Sequence, residues 1–351
     1  MSVEVKKKNK KKPPNTSIQS VQFDLFRQFI SNNASGVSNS VESWEGIPKY
    51  FLTPRQVSKL RTESGHADPY KWEYVVNKNV TNTIKIQPAL VEQDDGSYKA
   101  FFPGVTEEII EEALKRILAE QQLGIHDPEK SETWVRFSLS MLHRELKRNS
   151  HSRSITEIKH AIEVMSSCIL TFYIEKKEVW KGSILQDLVT VGREEYLSET
   201  DSQHVARLPL FISHSINHLE YRQFNYDRLM ECKEQLTRWI YKRLINRYKQ
   251  ASITNTYHFM YSDIKQGSGL LQQKEEKNNR AKVVSALDEL KKQDVIWGYE
   301  LDERTVGRKI IDIKYTINPS SEFVSEQKAA NKRDSESHLK AFKTGLLVDK
   351  S

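Results

Sequence analysis

The alternation of apolar and polar residues predicts a helix followed by a β-ribbon near the end of the chain. Val283, Leu287 and Leu290 recur at helical spacing, so one face of this helix is predicted to be buried. From residue 295 to residue 317 the apolar period becomes two, interrupted by the mostly polar stretch Asp302–Lys309. A packed helix that leads directly into a two-stranded ribbon is the layout of a winged helix. A small α/β packing unit with a solvated helix face is the alternative.

A second segment has the same order of elements. Its helices and strands are predicted at 139–148, 154–166, 169–175 and 183–191. Ser154 and Glu157 form a capping box that marks the start of the second helix. A longer helix precedes each copy, at 105–121 and at 232–250. This repetition favours an internal duplication over two coincidental packing units.

The predicted fold class is α+β, predominantly helical, with two tandem winged-helix domains that carry β-ribbon wings. Residues 72–102 are strand-like, and Asp94–Ser97 is predicted to be a hairpin turn. The predicted division of the chain is a disordered basic tail at 1–16, an N-terminal helix and loops at 17–71, the first winged-helix domain at 72–204, the second at 205–323, and a flexible C-terminal tail at 324–351.

Composition and charge narrow the possible functions. Of the 351 residues, 37% are hydrophobic and 29% are charged, and residues 1–16 contribute +5 of the net charge of +7. A lysine-rich tail of this kind is typical of an arm that binds nucleic acid, and it lacks the apolar core of a signal peptide. No apolar run approaches the ~18 residues that span a bilayer. Cys168 and Cys232 lie in apolar helical contexts and are predicted to be buried thiols in a reducing compartment. We therefore expect a cytoplasmic protein without a membrane partner.

The sequence motifs that could indicate catalysis are weak, because each lacks a partner residue. We therefore expect a protein that is not an enzyme and that needs no cofactor or metal. Tyr257 and Tyr261 have the spacing of a two-tyrosine DNA nickase, but no His-apolar-His motif accompanies them. His214 and His218 would suit zinc, but no further ligand is suitably spaced. No phosphate-binding glycine loop is present in the sequence. The acidic start of the helix at 105–121 is predicted to be a solvated face, which includes Glu107, Glu108, Glu111 and Glu112.

Basic and amide side chains on the two repeated helices predict a DNA-binding surface. Lysine and arginine neutralise phosphates, while asparagine and arginine make bidentate contacts with adenine and guanine. In the second copy the candidates are Lys274, Lys277, Asn278, Asn279, Arg280, Lys282 and Ser285 on the helix, with Arg304, Arg308 and Lys309 on the ribbon. In the first copy they are Arg153, Thr156, Lys159 and His160. The predicted partner is double-stranded DNA.

Several stretches resemble the replication initiator proteins of theta-type plasmids. They include "LTRWIYKRLINRYKQAS", "NNRAKVVSALDEL" and "GRKIIDIKYTINPSSEF", and the resemblance covers roughly residues 72–323. It implies sequence-specific binding to origin repeats (iterons), help in opening the origin, and recruitment of the host initiator and replicative helicase. It also implies a homodimer in equilibrium with a monomer. A winged-helix transcription regulator without a replication role, a nicking replication enzyme and a protein-interaction scaffold are the alternatives.

Overall fold

The protein has a mixed α/β fold in a computed structural model that describes residues 36–75, 80–119, 123–191 and 202–343. Helices make up 42% of it and strands 31%, so the expectation of a predominantly helical protein is wrong. Strands that the sequence pattern did not predict, such as Lys177–Gly182, account for part of the difference. The basic tail predicted at 1–16 lies outside the described residues.

The elements of the N-terminal half belong to two groups. Two short helices and one strand come first, and we call residues 36–60, which contain them, the clasp. They are β1 (Val37–Ser40), α1 (Glu42–Glu45) and α2 (Pro54–Leu60). The first unit follows, with β2 (Tyr70–Val75), β3 (Thr81–Gln87), β4 (Ala89–Glu92), β5 (Tyr98–Phe101), α3 (Val105–Leu118), β6 (Gly124–Asp127), β7 (Glu132–Phe137), α4 (Leu139–Arg148), α5 (Ile155–Ser167), β8 (Ile169–Ile174), β9 (Lys177–Gly182), β10 (Gln186–Val191), β11 (Gln203–Arg207) and α6 (Leu210–Asn217).

The second unit and a C-terminal helix complete the described chain. The unit contains β12 (Arg222–Asn225), α7 (Tyr226–Glu231), α8 (Gln235–Arg247), β13 (Tyr257–Met260), α9 (Tyr261–Ser268), α10 (Glu276–Lys292), β14 (Ile296–Val306) and β15 (Lys309–Pro319). The last helix is α11 (Ser321–Lys343). A flexible tail was predicted for residues 324–351, and this prediction is wrong for 324–343, which belong to α11, while 344–351 lie outside the described residues. Phe323, Val324, Gln327 and Ala330 lie at helical spacing and are buried, which anchors α11 on the second unit.

The strands pair antiparallel in every sheet of the described chain. The sheet orders are β2-β3-β8-β9, β10-β11-β7-β6 and β13-β15-β14, with the two-stranded pairs β1-β12 and β4-β5. In the second unit, β13 immediately precedes α9 and pairs with β15, so the strand that leads into the helices is hydrogen-bonded to the ribbon. In the first unit, β7 precedes α4 but pairs with β6 and β11, while the ribbon β8-β9 joins β3. The two units therefore share an order of helices and ribbon but attach the ribbon differently.

The buried apolar face that the sequence predicts for α10, called the buried stripe below, is confirmed. Val283, Leu287 and Leu290 are each fully buried, and Lys291 and Lys292 in the last turn complement the helix dipole. The capping box predicted at the start of α5 is also present. Ser154 Oγ accepts the Glu157 backbone N–H, and the Glu157 carboxylate accepts the Ser154 backbone N–H at 2.7 Å.

The glutamates at the start of α3 are buried, so the predicted solvated face is wrong. Glu107, Glu108, Glu111 and Glu112 are between 1% and 8% exposed. A buried charge is stable only when it is paired and hydrogen-bonded, and basic residues of α8 supply much of that pairing. Arg238, fully buried, donates to both Glu108 carboxylate oxygens at 2.9 and 3.2 Å. The first and second units are thus joined by ion pairs across α3 and α8.

One continuous apolar cluster runs through the clasp and both units, from Val41 to Val324. Cys168 and Cys232 are free and buried within it, as the sequence predicted, and burial raises the pKa of each thiol to about 12. Among the helices of the described ranges, none combines the length and the apolar character needed to cross a membrane.

Candidate nucleic-acid interface

The face of α10 that points away from the core carries Lys277, Asn278 and Ser285 of the predicted DNA-binding residues, and Lys274 lies two residues before the helix begins. Lys274, Lys277, Asn278 and Ser285 are exposed, as is Ala281 at the centre of the face. Within the described chain, the Asn278 side chain has no hydrogen-bond partner and Lys277 has no ion pair. A basic and amide-bearing helix face whose polar groups are not used internally is available for an external anionic partner.

Asn279 does not belong to this surface, which corrects the prediction. It is fully buried, its Nδ2 donates to the Gln273 carbonyl at 3.0 Å, and its Oδ1 accepts the Gln273 N–H at 2.9 Å. The position was visible in the sequence, because Asn279 precedes Val283 by four residues and therefore falls on the buried stripe. Its side chain holds the turn before α10 through these two hydrogen bonds to the Gln273 backbone.

The two helices of the second unit are locked together at their ends. Glu276, in the first turn of α10, accepts hydrogen bonds from Tyr261 and Lys265 of α9. These bonds, Lys265 first, lower the pKa of the Glu276 carboxyl below its usual range. Gly269 ends α9 with a left-handed backbone (φ 66°), a conformation that favours glycine. Asp312 of β15 then accepts from the Ser262 hydroxyl at 2.8 Å, which ties α9 to the ribbon.

Lys282 and Arg280 occupy the edges of the exposed face. Lys282 is half-buried, and its Nζ lies 3.4 Å from the Leu270 carbonyl in the turn, so part of its hydrogen-bonding capacity is used internally. Arg280 is half-buried beside Tyr315, where burial raises the tyrosine pKa to about 12 and the guanidinium opposes that rise. Both residues place a basic side chain at the rim of the surface, but these side chains are less free than that of Lys277.

The ribbon β14-β15 extends beyond the core and ends in a basic tip. Arg304, Arg308 and Lys309 are all exposed there and form no ion pair within the described chain. Gly307 adopts φ 60° in the turn, as expected for a turn glycine, and Val306 is 67% exposed. The strands are longer than predicted, since only Gly307 and Arg308 separate them.

The candidate residues of the first unit are less open than those of the second. Thr156 and Lys159 are exposed on α5, but His160 packs edge-on against Phe101 with ring centroids 4.4 Å apart. Burial lowers the pKa of His160, so it is mostly neutral at pH 7. Arg153 is half-buried and donates to the Ser152 carbonyl at 2.9 Å. The first unit therefore offers fewer free basic groups on its helix α5 than the second unit offers on α10.

The residues considered for catalysis are held in structural contacts. Tyr257 packs against Tyr248 with ring centroids 5.3 Å apart, and Tyr261 begins α9. Burial raises the pKa of both Tyr257 and Tyr261, which makes a phenolate nucleophile less accessible at neutral pH. His214 and His218 stack at 4.0 Å, but within the described residues no group of three potential metal ligands assembles.

Two contacts on the turn before α10 were not foreseen from the sequence. Phe51 of the clasp packs against Gly269, and Gln56 Nε2 donates to Gln272 Oε1 at 2.5 Å. Residues 56 and 272 are separated by 216 positions, and no local pattern indicates such a pairing.

Comparisons with known proteins identify structural neighbours. Domains 2 and 3 of RctB, as selenomethionine derivatives, match with 13% identity and a TM-score of 0.47, over 80% of this chain and 98% of that chain. A second structure of the RctB domains 2–3 matches with 12% identity and a TM-score of 0.43, over 77% of this chain and 97% of that chain. The Pi initiator protein in complex with iteron DNA matches with 12% identity and a TM-score of 0.36, over 82% of this chain and 98% of that chain. No family model and no curated protein sequence matches the chain.

Proposed function

We propose that the protein binds double-stranded DNA sequence-specifically through its second unit, residues 222–319, acting as a winged helix. One observation carries this proposal. The face of α10 that includes Lys277 and Asn278 is exposed and unpaired within the described chain, while the opposite face is packed into the core. An α-helix fits the major groove of B-DNA, and the N-terminal part of such a helix usually contacts the base edges.

The candidate residues would contact different parts of the DNA according to their chemistry. Asn278, near the start of α10, has a free amide that can donate to and accept from an adenine edge. Lys274 and Lys277 would neutralise phosphates on either side and release counterions. Arg304, Arg308 and Lys309 would hold the backbone beside the groove from the ribbon tip. Contacts to phosphates set affinity and register, and contacts to base edges set the preferred sequence.

We further propose that the DNA site is a set of repeats at a replication origin and that the protein acts as an initiator. The sequence resemblance to theta-type plasmid initiators supports this role. Opening of the origin, recruitment of the host initiator and helicase, and a monomer–dimer equilibrium belong to the same proposal. The first unit would add backbone contacts, since its exposed Arg144 and Lys147 lie on α4.

The experiment starts with the DNA that flanks the gene. Purified protein is titrated against fragments that carry its tandem repeats and against fragments of equal length with the repeats shuffled. Binding to the repeats at least 100-fold tighter than to the shuffled fragment supports sequence-specific recognition. A plasmid that carries only the gene and these repeats is then tested for maintenance. Specific binding without plasmid maintenance would instead identify a transcription regulator, and equal binding to both fragments would reject the proposed specificity.

We also propose that the protein acts by binding and not by cleaving DNA. The packing of Tyr257 on Tyr248, and the hydrogen bond from Tyr261 to Glu276, support this proposal. Opening of the duplex would then depend on binding energy and on host enzymes.

A further inference from the structure

The clasp, residues 36–60, runs between the two units and is bonded to both. Its strand β1 pairs antiparallel with β12 of the second unit, from Val37 opposite Asn225 to Ser40 opposite Arg222. Its Trp44 is fully buried among aromatic rings of the first unit, with ring centroids 5.9–6.2 Å away. These rings belong to Phe172, Trp180 and Phe211. One short segment therefore spans the junction of the two units.

Charged residues of the clasp complete the ion pairs between α3 and α8. Glu45 accepts from Lys115 of α3 and from Lys242 of α8, the latter at 2.8 Å. Burial alone would raise the pKa of Glu45, but Lys115, Lys242 and Lys49 outweigh it and hold this pKa far below its usual range. Lys49 lies 3.9 Å from Glu111. Removal of the clasp would leave the buried Glu111 without Lys49 and would take one of two carboxylate partners from both Lys115 and Lys242, so the clasp is part of the interface between the units.

The clasp also reaches the turn that leads into α10. A Cβ built on Gly269 would lie 2.9 Å from Phe51 Cγ, so the ring sits directly against the turn backbone. Gln56 Nε2 donates to Gln272 Oε1, and Gln272 in turn donates to the Gly269 carbonyl. The same turn is bonded to α10 through Asn279. A continuous set of contacts therefore links the clasp to the first turns of α10.

We propose that Phe51 and Gln56 are positioning residues that determine DNA sequence specificity by fixing the turn before α10. This inference rests on the proposed DNA binding by α10. Base contacts are directional and require a helix held within about 0.5 Å and 10–20°, whereas phosphate contacts by long basic side chains tolerate more movement. Loss of the clasp contact therefore weakens binding to the specific site more than binding to other DNA.

The test uses Gln56→Glu, because Gln56 has two roles that this change separates. Its Oε1 accepts from the Thr53 N–H and hydroxyl in the capping box of α2, and glutamate serves equally well there. Its Nε2 donates to Gln272, and glutamate lacks this donor. Thr53→Ala is the matched control, because it removes the cap of the same helix and leaves the amide of residue 56 in place.

Full-length wild type and variants are compared for affinity to specific and shuffled DNA, thermal stability, and amide hydrogen exchange over residues 269–275. For Gln56→Glu we expect the ratio of specific to non-specific affinity to fall about 3- to 10-fold, the range that one hydrogen bond supports. Exchange in the turn should become faster while the melting temperature changes little. Thr53→Ala should lower the melting temperature and change the affinity ratio less than 2-fold. Gln272→Ala also removes the hydrogen bond to the Gly269 carbonyl, so it should lower the ratio at least as much as Gln56→Glu, and the double variant should be no worse than Gln272→Ala.

An unchanged affinity ratio in Gln56→Glu, or an equal fall in Thr53→Ala, would overturn the proposal. If the wild type shows no sequence preference, the proposed function fails, and the hydrogen exchange then decides the positioning role alone. Faster exchange at 269–275 in Gln56→Glu but not in Thr53→Ala would still support positioning of the turn. Equal exchange in both variants and the wild type would reject it.

Discussion

Replacement of Arg238 by methionine probes the ion pairs that join the two units. The Arg238 guanidinium is fully buried and donates to both oxygens of Glu108, to the Cys232 carbonyl at 2.8 Å and to the Lys233 carbonyl at 3.2 Å. In Arg238→Met the Glu108 carboxylate, only 7% exposed, loses this partner. Breaking a buried pair from one side costs about 3–5 kcal/mol of unfolding free energy. We therefore expect a loss of that size.

A second variant separates the unpaired charge from the lost packing. Arg238→Met/Glu108→Met removes both charges and leaves only the two carbonyls without their donor, which costs about 1–3 kcal/mol. The double variant should therefore be more stable than Arg238→Met alone, and the exposed Arg55→Met serves as the control, with a change within about 0.5 kcal/mol. Equilibrium unfolding in urea measures all of them. A double variant that is as unstable as the single variant would refute the reasoning, since the cost would then not come from an unpaired Glu108.

Three further predictions concern single sites. Asn279→Ala should lower the unfolding free energy by about 1–3 kcal/mol, because it removes two hydrogen bonds that contribute about 0.5–1.5 kcal/mol each, and thermal melts of this variant check it. Because the pKa of Glu45 is held below its usual value of 4.5, its ionised form stabilises the fold above that pH, and this contribution disappears as the pH falls further. The stability difference between wild type and Glu45→Gln should accordingly be largest at neutral pH and shrink in acid, and a difference independent of pH would contradict it. Incubation of the wild type with Mg²⁺ and supercoiled origin DNA should give no open-circular product, and a DNA end linked to Tyr257 or Tyr261 would disprove the binding-only proposal.

The sequence predicted the local elements well where one periodicity dominated. The bounds predicted for α4 agree with Leu139–Arg148, and the buried stripe of α10 lies at Val283, Leu287 and Leu290. At Asn279 the polar side chain predicts a contact with DNA, whereas the spacing from Val283 predicts a buried position, and the buried position is the one observed.

The interface between the units could not be predicted, because it depends on pairs far apart in the chain. Glu108 and Arg238 are 130 positions apart, and each by itself is typical of a solvated helix face. The clasp contains few apolar repeats, and its role arises from Trp44 and Gln56 meeting residues more than a hundred positions away. The C-terminal helix was missed for a similar reason, since its polar Gln327 is buried by a hydrogen bond from Arg222.

DNA titration of α10 variants tests the central claim most directly. Wild type, Asn278→Ala, Lys277→Ala and the exposed control Lys332→Ala are titrated with specific and shuffled DNA at several salt concentrations. Asn278→Ala should weaken only specific binding, by about 1–3 kcal/mol, and relax the preference at one base position. Lys277→Ala should weaken binding to both DNAs and reduce the slope of log K against log salt by about 0.9, while Lys332→Ala matches the wild type. If Asn278→Ala and Lys277→Ala both retain wild-type affinity, preference and salt dependence, α10 does not contact DNA and the proposed function is wrong.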